Sequence, residues 1–266
     1  MTEQQRWESG GGYEPYVGRW SRLIAGRFIE WLDPAPASHW LDIGCGTGAL
    51  TETILEKAQP QSVHGIDRSQ EFVSFTRAQI SDPRAEFSVA DAQDIPGDAG
   101  AYDCTVSALV LNFVPEPAVA LAEMKRVTSP GGSIAAYVWD YLDGMEMMRH
   151  FWDAATELDE GAASLDEGVR FPICNPEPLR SLWEEAGLDD VAVAPIETDT
   201  VFRDFDDLWT PFLGGQGPAP TYTMSLDEPA RDALRELLRE RLPVEPDGSI
   251  HLRARAWGVR GVVVGA

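Results

Sequence analysis

The stretch Ala37-Ser-His-Trp-Leu-Asp-Ile-Gly-Cys-Gly-Thr-Gly-Ala-Leu50 decides the fold. Trp40, Leu41 and Ile43 form a short apolar strand, and three alternate glycines, Gly44, Gly46 and Gly48, follow it directly before an amphipathic helical segment. Glycine lacks a Cβ and tolerates positive φ, while a helix start offers unpaired N–H groups at its positive dipole end. Backbone can therefore come very close to a ligand, and an extended nucleotide-like molecule with polar or anionic groups suits the turn.

Outward from this turn the pattern repeats. Upstream, Leu23, Ile24, Phe28, Trp31 and Leu32 recur at helical spacing until Pro34 and Pro36, and residues 1–18 read as a polar, glycine-rich mobile arm. Downstream, Leu50, Ile54 and Ala58 mark one helix face, Ser62–Asp67 a second strand, Phe72, Val73 and Ile80 a second helix, and Glu86–Ala90 a third strand ending in Asp91. Tyr102–Leu111 suits a strand covered on both faces. Pro117 opens a helix with Leu121, Met124 and Val127 inward, and Pro130-Gly-Gly132 turns into a strand at Ser133–Trp139. Five alternations of strand and helix predict a doubly wound parallel α/β sheet.

Past Asp140 the rhythm changes. Asn175 with Pro176 and Pro178 starts a helix, Asp190–Ile196 reads as a sixth strand, Ser225-Leu-Asp-Glu228 as a capping box, and residues 249–265 as a last strand. The expected layout is an arm and helix over 1–36, a core over 37–140, a cap segment over 141–174, and a core helix and strand over 175–198. A second cap segment and helix follow over 199–248, then a core strand over 249–266.

Charge and cysteines narrow the function. With 21 basic against 44 acidic residues the formal charge is −23, which repels nucleic-acid phosphates and anionic membranes. Three widely spaced cysteines, Cys45, Cys104 and Cys174, make neither a disulfide framework nor a zinc site. The polar N-terminus leads to no apolar signal core and no run is long enough to span a membrane, so a cytoplasmic protein without metal, nucleic-acid or membrane partners is expected.

Asp42, Asp67 and Asp91 lie at or beside three strand ends, where open parallel sheets bind ligands. Gly44-Cys-Gly-Thr-Gly-Ala49 also satisfies the dinucleotide pattern G-x-G-x-x-[GA], so a nicotinamide-dependent oxidoreductase is one reading. Asp42 separates the two, because a carboxylate repels a pyrophosphate and attracts the ammonium of an amino-acid-bearing nucleoside. Leu41-Asp-Ile-Gly-Cys-Gly-Thr-Gly48, Gly65-Ile-Asp67-Arg-Ser, Ala90-Asp91-Ala-Gln-Asp-Ile-Pro96 and Val127-Thr-Ser-Pro-Gly-Gly132 together resemble the successive motifs of class I S-adenosylmethionine-dependent methyltransferases of the ubiquinone/menaquinone-biosynthesis type. The resemblance covers about residues 38–139 and is silent on substrate.

What the resemblance implies is a Rossmann-like, seven-stranded, mostly parallel sheet with an antiparallel C-terminal strand, an N-terminal helical arm and an inserted substrate cap. It implies S-adenosyl-L-methionine as cofactor and S-adenosyl-L-homocysteine as product, and a small-molecule methyl acceptor is expected. By position, Asp42 and the Gly44, Cys45, Gly46 and Gly48 backbone hold the methionine moiety and Asp67 the ribose hydroxyls. Arg68 flanks the adenine, Asp91, Ala92 and Gln93 read its edge, and Leu109 to Asn112 sit beside the sulfonium. Tyr16 and Arg19 belong to an arm that folds over the cofactor. His150 is the candidate base, set against a plain helix-surface role. Trp139, Tyr141, Met148, Trp152, Trp209 and Phe212 are candidates for an acceptor pocket, set against simple core packing. A cofactor-binding protein without turnover is the non-enzymatic alternative.

Overall fold

A computed structural model describes residues 18–214 and 217–265. Tyr16 with the rest of residues 1–17, Gly215 and Gln216, and Ala266 lie outside the described residues. Seven strands, β1 (His39–Ile43), β2 (Ser62–Asp67), β3 (Ala85–Val89), β4 (Tyr102–Ala108), β5 (Thr128–Trp139), β6 (Leu188–Phe202) and β7 (Ile250–Val263), form one sheet in the order β3-β2-β1-β4-β5-β7-β6, with one strand antiparallel. The order reverses between β1 and β4, which are paired in parallel with Asp42 opposite Val106. The carboxyl ends of strands at such a reversal are where open parallel sheets bind ligands, and the glycine turn begins there.

The described residues divide into two compact units. One comprises 21–138, 173–196 and 256–265, the other 18–20, 139–172 and 197–255. In the first, α1 (Arg19–Leu32) buries Ile24, Phe28 and Ile29, with Phe28 4.8 Å from Tyr137 of β5. Arg260 of β7 donates to the carbonyls of Trp31 and Leu32 at 3.0 and 3.2 Å, tying down orphan acceptors at the end of α1. Crossover helices α2 (Ala49–Lys57), α3 (Gln70–Gln79) and α4 (Pro117–Val127) cover the sheet, α4 burying Ala120, Leu121, Met124 and Val127. Helix α7 (Pro176–Glu185) is anchored by Trp183 Nε1, which donates to the Ile134 carbonyl at 3.1 Å.

The second unit holds α5 (Glu146–Leu158), the short α6 (Glu167–Arg170), α8 (Phe205–Trp209), α9 (Pro218–Ser225) and α10 (Glu228–Arg241). Phe151 and Phe212 stack at 4.5 Å and 11°, and Trp152 and Tyr222 pack at 5.8 Å, so its core is aromatic.

Two local expectations are corrected. The box at Ser225–Glu228 does not form: Ser225 ends α9, its hydroxyl donating to the Tyr222 carbonyl, and Asp227 caps α10 by accepting from Ala230 N at 3.0 Å. An Asp immediately before a Glu-Pro helix start outcompetes a serine placed two residues earlier. Pro130-Gly131-Gly132 does not separate helix from strand, because β5 already begins at Thr128 and carries the turn as an irregularity, with Gly131 at φ +80 and a register shift against β4.

Candidate active site

The glycine turn is built by contacts that a side chain would break. Gly44 has φ +71, and a Cβ there would lie 2.5 Å from Val110 Cγ2; Gly46 has φ +52, and nothing but its own turn lies within 4 Å of where its Cβ would be. The backbone at Gly46 is therefore open for close approach, while Val110 closes the turn beside it. Thr76 Oγ1 donates to the Gly46 carbonyl at 2.5 Å, and the Gly44 and Cys45 N–H groups both donate to the Ile66 carbonyl, which fixes the turn to α3 and β2. Gly48 caps α2 at φ +89 without a side-chain bond. A Gly48→Ala Cβ would meet Ile80 Cδ1 at 2.7 Å and Thr76 Cγ2 at 2.8 Å. Urea unfolding of Gly48→Ala should show a loss of about 1–2 kcal/mol, from the left-handed backbone plus displacement of flexible side-chain ends.

Two carboxylates flank the turn. Asp42 is fully buried in β1, and its Oδ2 accepts from Thr51 Oγ1 at 2.6 Å. Its Oδ1 is buried with no hydrogen-bond partner, and burial pushes its pKa up to about 7. Asp67 ends β2, each oxygen taking one backbone N–H: Gly46 on Oδ2 at 3.1 Å and Ser69 on Oδ1 at 2.8 Å. Burial raises its pKa, opposed by those two donors and by the Arg68 charge. Each oxygen keeps lone-pair capacity for a second donor, the pattern that a vicinal diol satisfies.

The remaining rim comes from the ends of β3 and β4. Asp91 is exposed and accepts from Gln93 N at 2.9 Å, forming a tight turn that places half-buried Ala92 between them; Gln93 in turn accepts from Glu116 N at 3.3 Å. Leu109 follows β4 with φ +59, its N–H donating to the Tyr137 carbonyl at 2.8 Å. It leads into the turn Leu111–Phe113, within which Asn112 Nδ2 is buried and unpartnered. A non-glycine residue held at positive φ is a strained position of the kind that clusters at ligand sites. Cys45 and Cys104 are buried thiols whose pKa burial raises, so both stay protonated.

These residues fit an aminoacyl nucleoside. The buried Asp42 oxygen lacks the donor that an ammonium supplies, Gly46 offers open backbone, and Asp67 presents two oriented oxygens. Of the other candidates, Trp139, Met148, Trp152, Trp209 and Phe212 all lie in the second unit, each no more than 4% exposed, and Tyr141 packs on Phe171 at 6.1 Å. His150 is half-buried on α5, its pKa lowered by burial, with Glu146, Asp153 and Arg241 acting on its charge. Among the described residues no cluster of three or more His, Cys, Asp or Glu could hold a metal ion.

Sequence reasoning did not single out Glu167. This carboxyl, 3% exposed, accepts from Trp152 Nε1, and burial pushes its pKa up to about 7. Asp166 beside it is ion-paired with Arg149. An acid inside the acidic stretch 157–167 reads as a solvated loop, and only the tertiary pairing with Trp152 marks it out.

The 3-2-1-4-5-7-6 sheet with a glycine turn and acids at the ends of β1 and β2 defines the class I methyltransferase architecture. Residues 41–136 match the family described as the methyltransferase domain, and this part of the chain carries the motifs that resemble it. The chain is 38% identical over 185 residues to an uncharacterized 37.1 kDa protein in transposon TN4556 of Streptomyces fradiae, covering 66% of this chain and 50% of that one. It is 32% identical over 185 residues to 2-methyl-6-phytyl-1,4-hydroquinone methyltransferase of Synechocystis, covering 68% and 57%. The chain thus spans about half the length of these curated relatives. A solved Haemonchus contortus phosphoethanolamine N-methyltransferase 2, in complex with phosphomonomethylethanolamine and S-adenosylhomocysteine, shares the fold with a TM-score of 0.56 at 17% identity, covering 93% of this chain and 53% of that one. Among the described residues no helix is long and apolar enough to cross a membrane.

Proposed function

We propose that this protein transfers the methyl group of S-adenosylmethionine to a small organic acceptor. The observation that carries the reading is the buried, unpartnered Asp42 oxygen beside the open Gly46 backbone, with Asp67 oriented by two backbone donors. When bound, the cofactor supplies an already activated sulfonium methyl group. The chain's residues then have four tasks. Asp42 binds the ammonium, Asp67 accepts the ribose hydroxyls, and Asp91, Ala92 and Gln93 with Arg68 frame the adenine. Leu109, Val110 and Asn112 wall the reacting end and help exclude water.

On this reading residues 37–140, 175–198 and 249–266 serve as cofactor core, and 141–174 with 199–248 as acceptor cap. The hydroquinone named for one relative supports an acceptor with apolar, ring-like character. His150, half-buried on α5 with its pKa lowered by burial, is the candidate for receiving an acceptor proton. The buried thiols of Cys45 and Cys104 support action in a reducing cytoplasm.

Isothermal titration with S-adenosylhomocysteine is expected to show binding by the wild type and at least about tenfold weaker binding by Asp67→Ala, which loses two charge-assisted bonds. Equal affinities would remove the basis of the proposal. Loss of binding to NADH in the same variant, without any to S-adenosylhomocysteine, would move it to hydride transfer.

A further inference from the structure

Thr51 stands in the first turn of α2 and is fully buried. A threonine inside a helix commonly donates its hydroxyl to the carbonyl four residues back, as Thr53 of the same helix does to the Ala49 carbonyl at 2.8 Å. Thr51 does otherwise. Its Oγ1 reaches out of the helix and donates to Asp42 Oδ2 of β1 at 2.6 Å, and both residues belong to the first compact unit.

A separation of 2.6 Å between a hydroxyl and a carboxyl oxygen is that of a charge-assisted bond. Holding one oxygen also fixes the plane of the carboxylate, because rotation about the Cβ–Cγ bond would break the contact. Oδ1 is thereby the oxygen left buried and bare. The same bond works against the burial of the charge. Asp67 of β2 disfavours ionisation of Asp42, the Cys45 thiol stays protonated and adds no charge, and Thr51 favours ionisation through both its hydroxyl and its backbone.

We infer that Thr51 is a positioning residue of the candidate site: its hydroxyl sets the Asp42 carboxylate so that Oδ1 meets the ammonium of the ligand. The inference rests on the methyltransferase reading, which supplies that ammonium. Valine keeps the branched shape of threonine and loses the hydroxyl, so it separates this role from the filling of space beneath β1.

Titration calorimetry with S-adenosylhomocysteine on the full chain at pH 6, 7 and 9 compares wild type with Thr51→Val and Thr51→Ser. The ratio of variant to wild-type affinity at each pH cancels the titration of the ligand itself. Thr51→Val is expected to bind about tenfold more weakly at pH 6, because losing a hydrogen bond to a charged group raises the pH at which Asp42 ionises. The deficit narrows toward pH 9, where the carboxylate forms unaided. Thr51→Ser retains the hydroxyl and is expected to follow wild type. Thr51→Ala is a second deletion, should valine fail to fold.

The ligand-free protein gives an independent readout. Carbon-13 NMR of labelled aspartate, with Asp42 identified as the resonance missing from Asp42→Asn, should show its titration displaced to higher pH in Thr51→Val and not in Thr51→Ser. A deficit of equal size at all three pH values, or an Asp42 titration in Thr51→Val that matches wild type, overturns the inference. Failure of the methyltransferase reading looks different: wild type and variants alike then bind no S-adenosylhomocysteine, while the ligand-free titration still decides whether Thr51 controls Asp42.

Discussion

Asp42→Asn is expected to bind S-adenosylhomocysteine about 100-fold more weakly than the wild type while its ligand-free form melts at a higher temperature. The two effects have one cause. Asp42 is completely buried, one oxygen bonded by Thr51 and the other without a partner, so the ligand-free protein bears the cost of enclosing an acid that water would solvate. Asparagine keeps the shape and can still accept from Thr51, yet has no charge to desolvate. It also has no charge to offer an ammonium, and a lost buried charge-assisted contact of roughly 2–3 kcal/mol corresponds to about 100-fold.

The pH dependence carries the same signature. The folded pKa of Asp42, about 7, lies above the ordinary carboxylate value, so the native state binds the extra proton. Stability from this group is therefore present at acid pH, falls as pH rises between about 4 and 7, and is flat above that. Ligand affinity runs the other way, rising toward pH 7 as the carboxylate forms and releasing a proton on binding below it. Titrations at several pH values in buffers of different ionisation enthalpy measure that release. A wild-type affinity independent of pH from 5 to 8, or an Asp42→Asn variant with wild-type affinity, would contradict the assignment.

Glu167→Ala and Glu167→Gln are expected to differ in sign. Alanine leaves Trp152 Nε1 buried without an acceptor and opens a space in the aromatic core, at a cost of roughly 3 kcal/mol. Glutamine can still accept from Trp152 through its carbonyl and removes the buried acid. Because burial raises the Glu167 pKa to about 7, the wild type loses stability from this group as pH rises from about 4.5 to 7. Chemical denaturation at pH 5 and pH 8 should show Glu167→Gln gaining on the wild type at the higher pH. A stability difference that is the same at both values would show that Glu167 does not carry the raised pKa.

The sequence made the glycine turn and the acids of the candidate site legible because their information is local. Asp42, Gly44, Gly46, Gly48 and Asp67 fall within one strand-turn-helix-strand unit, and their spacing alone brings them together. The parallel sheet followed from apolar strands alternating with capped helices. What remained hidden depends on distant pairs. Val110 closes over Gly44, 66 positions away, and Leu109 adopts a backbone that nothing in Ala-Leu-Val-Leu announces. The sixth strand was read as ending at Ile196, although Thr198, Thr200 and Phe202 continue the buried alternation, because threonines among acids look like a loop until one face is known to be covered. Tryptophans and methionines after Asp140 could be read as core or as pocket, and the structure shows them packed on one another, with Glu167 the acid that composition had concealed.

Leu109 also bears on how such a sequence can change. A chain selected only for its folded stability would settle on glycine at φ +59, and a leucine there is a point of local frustration in the energy landscape. A side chain kept at such a backbone is what the proposed place of Leu109 beside the reacting end would call for. On the proposed function, stabilising this protein by relaxing every strained residue would remove, at the end of β4, part of what distinguishes a catalyst from its scaffold.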